Sequence, residues 1–208
     1  MFDPQRIEDI RKFYSTYEPA QRAAVYRSIR ASVGSVKNIF YGDSITAAWP
    51  LHEFFPNASI LNRGIGGDNS HGLYDRMSED VLPYSPKRVF LTIGINEIWD
   101  DEALIQDHIK ALATILAKAG ISVVLGSILP LRHPDNWNRF QFQDKIVRIN
   151  AGIRAWAEAN TAGFLDYHGA VKDTTGQLAA ECAQPDGTHV TFEAYRRMSA
   201  LAAPYLVA

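Results

Sequence analysis

From Arg88 to Ile93 the chain reads Arg-Val-Phe-Leu-Thr-Ile and stops at Gly94. A near-continuous apolar run of that length predicts a strand covered on both faces. Ile121 to Leu125, polar only at Ser122 and closed by Gly126, predicts another. Shorter strands are expected at Val36–Tyr41, Ser59–Leu61 and Gly163–Tyr167. Between them the apolar period changes from two to between three and four. Ile105, Ile109, Leu112 and Leu116 mark one helix, stopped by Gly120. Ile146, Ile149, Ile153 and Trp156 mark a second. Asn69 to Met77 is expected to be helical, and Thr191 is placed to cap a last helix running to about Ala203, before Pro204. Residues 4–32 read as two helical pieces separated near Pro19, the first with an apolar stripe of Ile7, Ile10, Phe13, Tyr14 and Tyr17.

Strands alternating with helices predict an α/β fold: a five-stranded parallel sheet between two helical layers, joined by right-handed crossovers. Five such strands suit the flavodoxin-like order 2-1-3-4-5. Ligands then bind at the carboxyl ends of the strands. We expect one domain, with residues 1–34 as a helical N-terminal extension and 35–208 as the core. The stripe of residues 7–17 is expected to cover the sheet's flank or to serve as a homodimer contact.

Composition narrows the function classes. Hydrophobic residues make up 47% and charged residues 21%, with a formal net charge of −2. No basic excess points to nucleic acid, and no apolar run is long enough to span a bilayer. Cys182 is the only cysteine, so neither an intrachain disulfide nor a cysteine-type zinc site is expected. The start of the chain is acidic where a secretion signal would be basic and then apolar, so a cytoplasmic location is expected.

Candidate chemistry sits at the strand ends. Gly42-Asp43-Ser44-Ile45-Thr46 follows the first strand and opens a helix, which exposes a serine hydroxyl and a first-turn N–H. A serine is a weak nucleophile and needs a base. Asn62-Arg63-Gly64-Ile65-Gly66-Gly67-Asp68 follows the second strand, and its glycines let backbone N–H groups approach a ligand. The spacing fails as a dinucleotide fingerprint, because Asn69 stands where the third glycine belongs. Gly94-Ile95-Asn96-Glu97 closes the third strand with an amide able to donate to an oxyanion. Asp186-Gly187-Thr188-His189 precedes the last helix, and a three-residue offset lets the carboxylate orient the imidazole. His52, His71, His108, His133 and His168 lack that context, and His108 is read as a solvated or partly packed helix residue.

In this order the four blocks resemble those of the SGNH/GDSL hydrolase superfamily, over residues from about Asn38 to Leu201. The resemblance implies a serine ester hydrolase: Ser44 as nucleophile, His189 as base, Asp186 orienting it. It implies an oxyanion hole from the N–H groups of Ser44 and Gly67 and the side chain of Asn96, with Gly66 the alternative to Gly67. Glu97 departs from the family's frequent Gly-x-Asn-Asp. Ser127-Ile128-Leu129-Pro130 is similar to the branch of bacterial lysophospholipases and platelet-activating-factor acetylhydrolases.

The activity implied is hydrolysis of small carboxylic esters, with short acyl or acetyl groups, through an acyl-enzyme. No metal or organic cofactor is needed, and a His-Glu-x-x-His pattern is absent. Asp43, Trp99, Trp137 and Val190 are the expected substrate-binding residues, and the connection 131–143 is expected to roof the pocket. Acyl transfer to a sugar, thioester or lysophospholipid cleavage, and a non-catalytic binding module on the same fold are the alternatives.

Overall fold

The computed structural model describes residues 1–15, 17–133 and 137–208, with only the backbone of 17–20, 137 and 138. Five strands, β1 (Asn38–Gly42), β2 (Ile60–Gly64), β3 (Arg88–Thr92), β4 (Ser122–Gly126) and β5 (Gly163–Leu165), form one parallel sheet in the order β2-β1-β3-β4-β5. The α/β class and the strand order are those expected from the sequence. The helices are α1 (Pro4–Tyr14), α2 (Tyr17–Ile29), α3 (Ser44–Ala47), α4 (Leu51–Phe54), α5 (Ser70–Asp80), α6 (Glu102–Lys118), α7 (Trp137–Phe140), α8 (Gln143–Asn160), α9 (Tyr167–Val171) and α10 (Phe192–Ala202).

Alternation along the strands divides the core. Ile39, Tyr41, Val89, Leu91, Val123 and Leu125 face one side, where they pack on Leu73 and Met77 of α5, Ile109 and Leu112 of α6, and Ile149 and Ile153 of α8. Phe40, Phe90 and Val124 face the other, against Trp49, α9 and α10. The Phe40 and Phe90 rings stack at 4.3 Å between neighbouring strands. Each fully buried large side chain contributes roughly 1.5–3 kcal/mol, so two continuous layers suffice to fix the sheet between its helices.

Several boundaries differ from expectation. β1 starts at Asn38 and not Val36, and β5 ends at Leu165 because Asp166 caps α9 and Tyr167 opens it. The helical prefix breaks at Ser15, ahead of Pro19, which falls inside the first turn of α2. Proline is tolerated there because first-turn N–H groups have no intrahelical acceptor. β2 runs three residues beyond Leu61, through Asn62-Arg63-Gly64. Tertiary partners accommodate these polar groups: the Arg63 guanidinium lies between the Tyr26 and Tyr84 rings and donates to the Tyr84 hydroxyl, leaving only its Nε without a hydrogen bond.

Register brings the motifs together. Gly42 of β1 pairs with Gly64 of β2 on one side and Thr92 of β3 on the other. The segments leaving these three strands therefore start side by side on one rim. Gly42 is obligatory: a Cβ there would lie 2.3 Å from both the Thr46 Oγ1 and the Thr92 carbonyl.

Candidate active site

Ser44 is the first residue of α3, immediately past β1. Asp43 caps that turn, its Oδ1 accepting from Ile45 N at 3.0 Å. Asn62 braces the far end of the same turn, donating to the Thr46 carbonyl at 2.7 Å and the Trp49 carbonyl at 3.2 Å. α3 has only four residues, so its macrodipole is small. What the turn offers is local, a first-turn N–H free of any intrahelical acceptor.

His189 arrives from the loop before α10. An antiparallel bridge between Ala183 and Val190 pins the base of that loop, and Gln184 N donates to the His189 carbonyl at 2.8 Å. Asp186 Oδ1 accepts from Thr188 N at 2.9 Å and His189 N at 2.8 Å, which folds the loop around the carboxylate. Asp186 Oδ2 hydrogen-bonds His189 Nδ1, and His189 Nε2 lies 2.9 Å from Ser44 Oγ. Partial burial pushes the Asp186 carboxyl up, but the hydrogen bonds from His189 and Thr188 outweigh it and hold the group below the usual carboxylate range. Asp186 therefore stays ionised beside the ring. Asp43, wholly buried, goes the other way: loss of hydration raises it to about 7 despite the bond from Ile45.

Asn96 lies on the turn Ile95–Glu97 after β3. Its amide donates to the Asp68 carbonyl at 2.8 Å, and Arg139 donates to its Oδ1 at 3.3 Å. The side chain is thus held against the segment after β2. Glu97 is buried, and its Oε2 accepts from Ser70 N, the start of α5, at 2.8 Å. Burial pushes Glu97 up, but the Ser70 donors and the imidazoles of His108 and His71 outweigh it and hold the carboxyl down to about 2. The longer carboxylate at this position thereby ties the Asn96 turn to α5. Gly67 adopts a left-handed backbone, φ +75°, and a Cβ on it would lie 2.6 Å from the Phe13 ring.

A cavity of about 380 Å³ opens over Ser44 and His189, lined also by Phe13, Arg22, Ala47, Ala48, Gly66 and Gln184. Arg22 is held in its wall by bonds to the Ala47 and Gly64 carbonyls. The N-terminal helices therefore do more than cover the sheet's flank, as the stripe alone suggested. α1 docks on α5 and on Asp68 through Tyr14, whose hydroxyl bonds the Asp68 carboxylate, and this brings Phe13 over the cavity. No sequence signal identified Phe13, Arg22 or Gln184, because a helix stripe does not say where the helix docks.

The expected substrate-binding residues separate. Asp43 sits beneath Ser44, and Val190 is buried in the core, 1% exposed. Trp99 is 56% exposed, edge-on to Phe142, and does not line the cavity. The side chain of Trp137 and residues 134–136 lie outside the described residues. Thr191 stands at the N-cap of α10, but its hydroxyl donates to the Glu181 carbonyl instead of the helix. His108 is buried, not solvated, and meets Glu97.

Among the described residues, no helix is long and apolar enough to cross a membrane. The fold sets a serine–imidazole–carboxylate series at the carboxyl ends of the strands. Residues 40–197 match the GDSL-like lipase/acylhydrolase family, and the chain belongs to it. A GDSL-like lipase from Bacteroides thetaiotaomicron is 29% identical, with a TM-score of 0.76 over 88% of this chain and 95% of that one. A protein from Streptococcus pneumonia, provisionally described as a platelet activating factor, superposes with a TM-score of 0.83 at 24% identity, covering 99% of this chain and 100% of that one. An acetylxylan esterase from Geobacillus stearothermophilus shares the fold at 20% identity and a TM-score of 0.64, covering 83% and 94%. Among curated proteins none matches the sequence significantly.

Proposed function

We propose that Ser44, His189 and Asp186 are the catalytic triad of an esterase that cleaves short-acyl carboxylic esters through an acyl-enzyme. The observation that carries this reading is the unbroken series Asp186 Oδ2, His189 Nδ1, His189 Nε2, Ser44 Oγ. Ser44 Oγ bonds to the carbonyl carbon as its proton passes to His189 Nε2. The carbonyl oxygen takes up the electron pair, and the N–H groups of Ser44 and Gly67 with the Asn96 amide stabilise it. When the pair returns, the bond to the alcohol breaks and His189 gives the proton to the leaving oxygen. Water then repeats the sequence on the acyl-enzyme and frees Ser44.

A cavity of about 380 Å³ with Phe13, Ala47 and Ala48 in its wall suits a small ester better than a long acyl chain. The acetylxylan esterase of the same fold makes acetylated saccharides a class to assay alongside simple esters. The test is a series of p-nitrophenyl acetate, butyrate and octanoate, with acetate release from acetylated sugars in parallel. Turnover of acetate and butyrate well above octanoate is expected. A preference for octanoate would overturn the short-acyl reading, and no turnover of any ester would overturn the triad.

Asn96→Ala should lower kcat by about 10²–10³ with little change in KM. The amide meets full charge only in the transition state, so ground-state binding is spared. Because Asn96 also bonds the Asp68 carbonyl, thermal unfolding of the variant should be recorded beside its kinetics. A change confined to KM would make Asn96 a substrate ligand and leave the oxyanion to another donor.

A further inference from the structure

Behind the Asn96 turn three elements converge on one point. α5 contributes His71 from its first turn, the turn after β3 contributes Glu97, and α6 contributes His108. Their exposures are 0%, 2% and 3%. His71 Nδ1 lies 3.4 Å and His108 Nδ1 3.8 Å from the same oxygen, Glu97 Oε1. The two imidazole rings are 4.7 Å apart and nearly perpendicular, at 86°. Phe2 closes the group from outside, stacked on His108 at 4.8 Å and edge-on to His71 at 5.6 Å.

The ester chemistry uses none of these side chains, and ordinary packing does not account for them. Neither ring nitrogen of His71 makes a well-formed hydrogen bond, nor does the Nε2 of His108, while His108 Nδ1 lies 3.1 Å from Ser70 Oγ. A neutral imidazole has one N–H donor and one bare nitrogen in either tautomer; the Nδ1 of His71 has only the 3.4 Å contact with Glu97 Oε1, and its Nε2 is buried without a partner. Buried polar groups are nearly always satisfied, and an orphaned pair asks for a partner that is not a protein atom.

The donor set is two imidazoles and a carboxylate, with one ligand atom from each residue within 4.8 Å of the others. Around a tetrahedral zinc ion, with bonds of about 2.0–2.1 Å, neighbouring donors lie roughly 3.3–3.5 Å apart. The two nitrogen-to-oxygen separations differ from that by at most a few tenths of an ångström, and the two imidazole nitrogens, within 4.8 Å of each other, close on the ion through side-chain torsions. Support for the carboxylate is already in place: Ser70 N donates to Oε2 at 2.8 Å and Ser70 Oγ to Oε1 at 2.5 Å, fixing the group that faces the imidazoles. Nitrogen-rich donors exclude magnesium and calcium, which take oxygen ligands, and suit zinc and its transition-metal neighbours.

We propose that His71, Glu97 and His108 form a binding site for a divalent transition metal, Zn²⁺ by preference, distinct from the Ser44 site. The ion joins α5, the Asn96 turn and α6, so it braces the oxyanion side of the active site without touching the reacting atoms. Metal-loaded protein should melt higher than metal-free protein, and ester cleavage should persist in both.

The whole chain, stripped with EDTA, is titrated with ZnCl₂ by calorimetry and with CoCl₂ by visible absorption. One equivalent should bind, with the intense visible bands of tetrahedral Co²⁺ and a rise in melting temperature that EDTA reverses. His71→Gln and His108→Gln should each weaken binding by about 10²-fold or more, while His189→Ala, which removes the exposed imidazole–carboxylate pair of the Ser44 site, leaves it unchanged. Should either glutamine variant fail to fold, the wild-type Co²⁺ spectrum decides alone. Absence of micromolar binding, weak octahedral bands, or equal affinity in the folded glutamine variants would each overturn the site.

Discussion

Replacing Ser44 with alanine is expected to abolish ester turnover, a loss on the order of 10⁶ in kcat, while leaving the fold intact. The magnitude follows from covalency. Without Oγ there is no bond to the acyl carbon, and His189 has only water to activate, in a cavity built to hold the serine oxygen 2.9 Å from Nε2. The backbone N–H of residue 44 survives the change, as does the cap that Asp43 makes to Ile45 N, so α3 should form unaltered. An organophosphonate should label wild-type protein once, on Ser44, and leave the alanine variant unlabelled. Mass spectrometry of the adduct together with p-nitrophenyl acetate turnover checks both halves. Substantial turnover by the alanine variant, or an adduct on another serine, would remove Ser44 from the reaction.

How far such a site can be read from sequence depends on whether its signal is local. β3 and β4 were legible to within a residue because strands buried on both faces must be apolar throughout. β2 was cut short for the same reason. Asn62 and Arg63 look like the start of a loop until α3, Tyr26 and Tyr84 supply partners from elsewhere in the chain. Ser44 and the Asp186–His189 pair were legible because a strand end and a three-residue loop are local features, and the parallel sheet supplied the common rim. Phe13 and Arg22 were not. Their part in the cavity depends on how α1 and α2 dock on α5 and on the segments after β1 and β2. His71, Glu97 and His108 show the same limit more sharply: the two histidines are unremarkable in their own elements, Glu97 stands out only as a departure from Gly-x-Asn-Asp, and only the packing of α5, α6 and the turn after β3 brings them to one point.

Asp186→Asn should lower kcat by about 10⁴ with KM and melting temperature nearly unchanged, and the reason lies in which nitrogen carries the proton. The Asp186 carboxylate accepts on both oxygens: Oδ1 from the N–H groups of Thr188 and His189, Oδ2 from the ring at Nδ1. An ionised carboxylate has no proton to give, so the imidazole must place its own on Nδ1. That leaves Nε2 bare toward Ser44 Oγ, the tautomer a general base requires. Asparagine has one acceptor and one donor in the same outline. The two backbone N–H groups hold its oxygen in the Oδ1 position, which points the NH₂ at Nδ1. The ring then accepts at Nδ1 and carries its proton on Nε2, where it faces the serine and can take nothing from it. Loop and cavity are preserved, so substrate still binds. The variant also loses the negative charge that stabilises the imidazolium formed as Ser44 attacks, and tautomer and charge act in the same direction. The kinetics should be read beside phosphonate labelling of Ser44, which needs the same proton transfer and should slow in parallel. A variant within tenfold of wild-type kcat would mean that His189 is oriented by something other than Asp186. A loss confined to KM would place Asp186 in substrate binding instead.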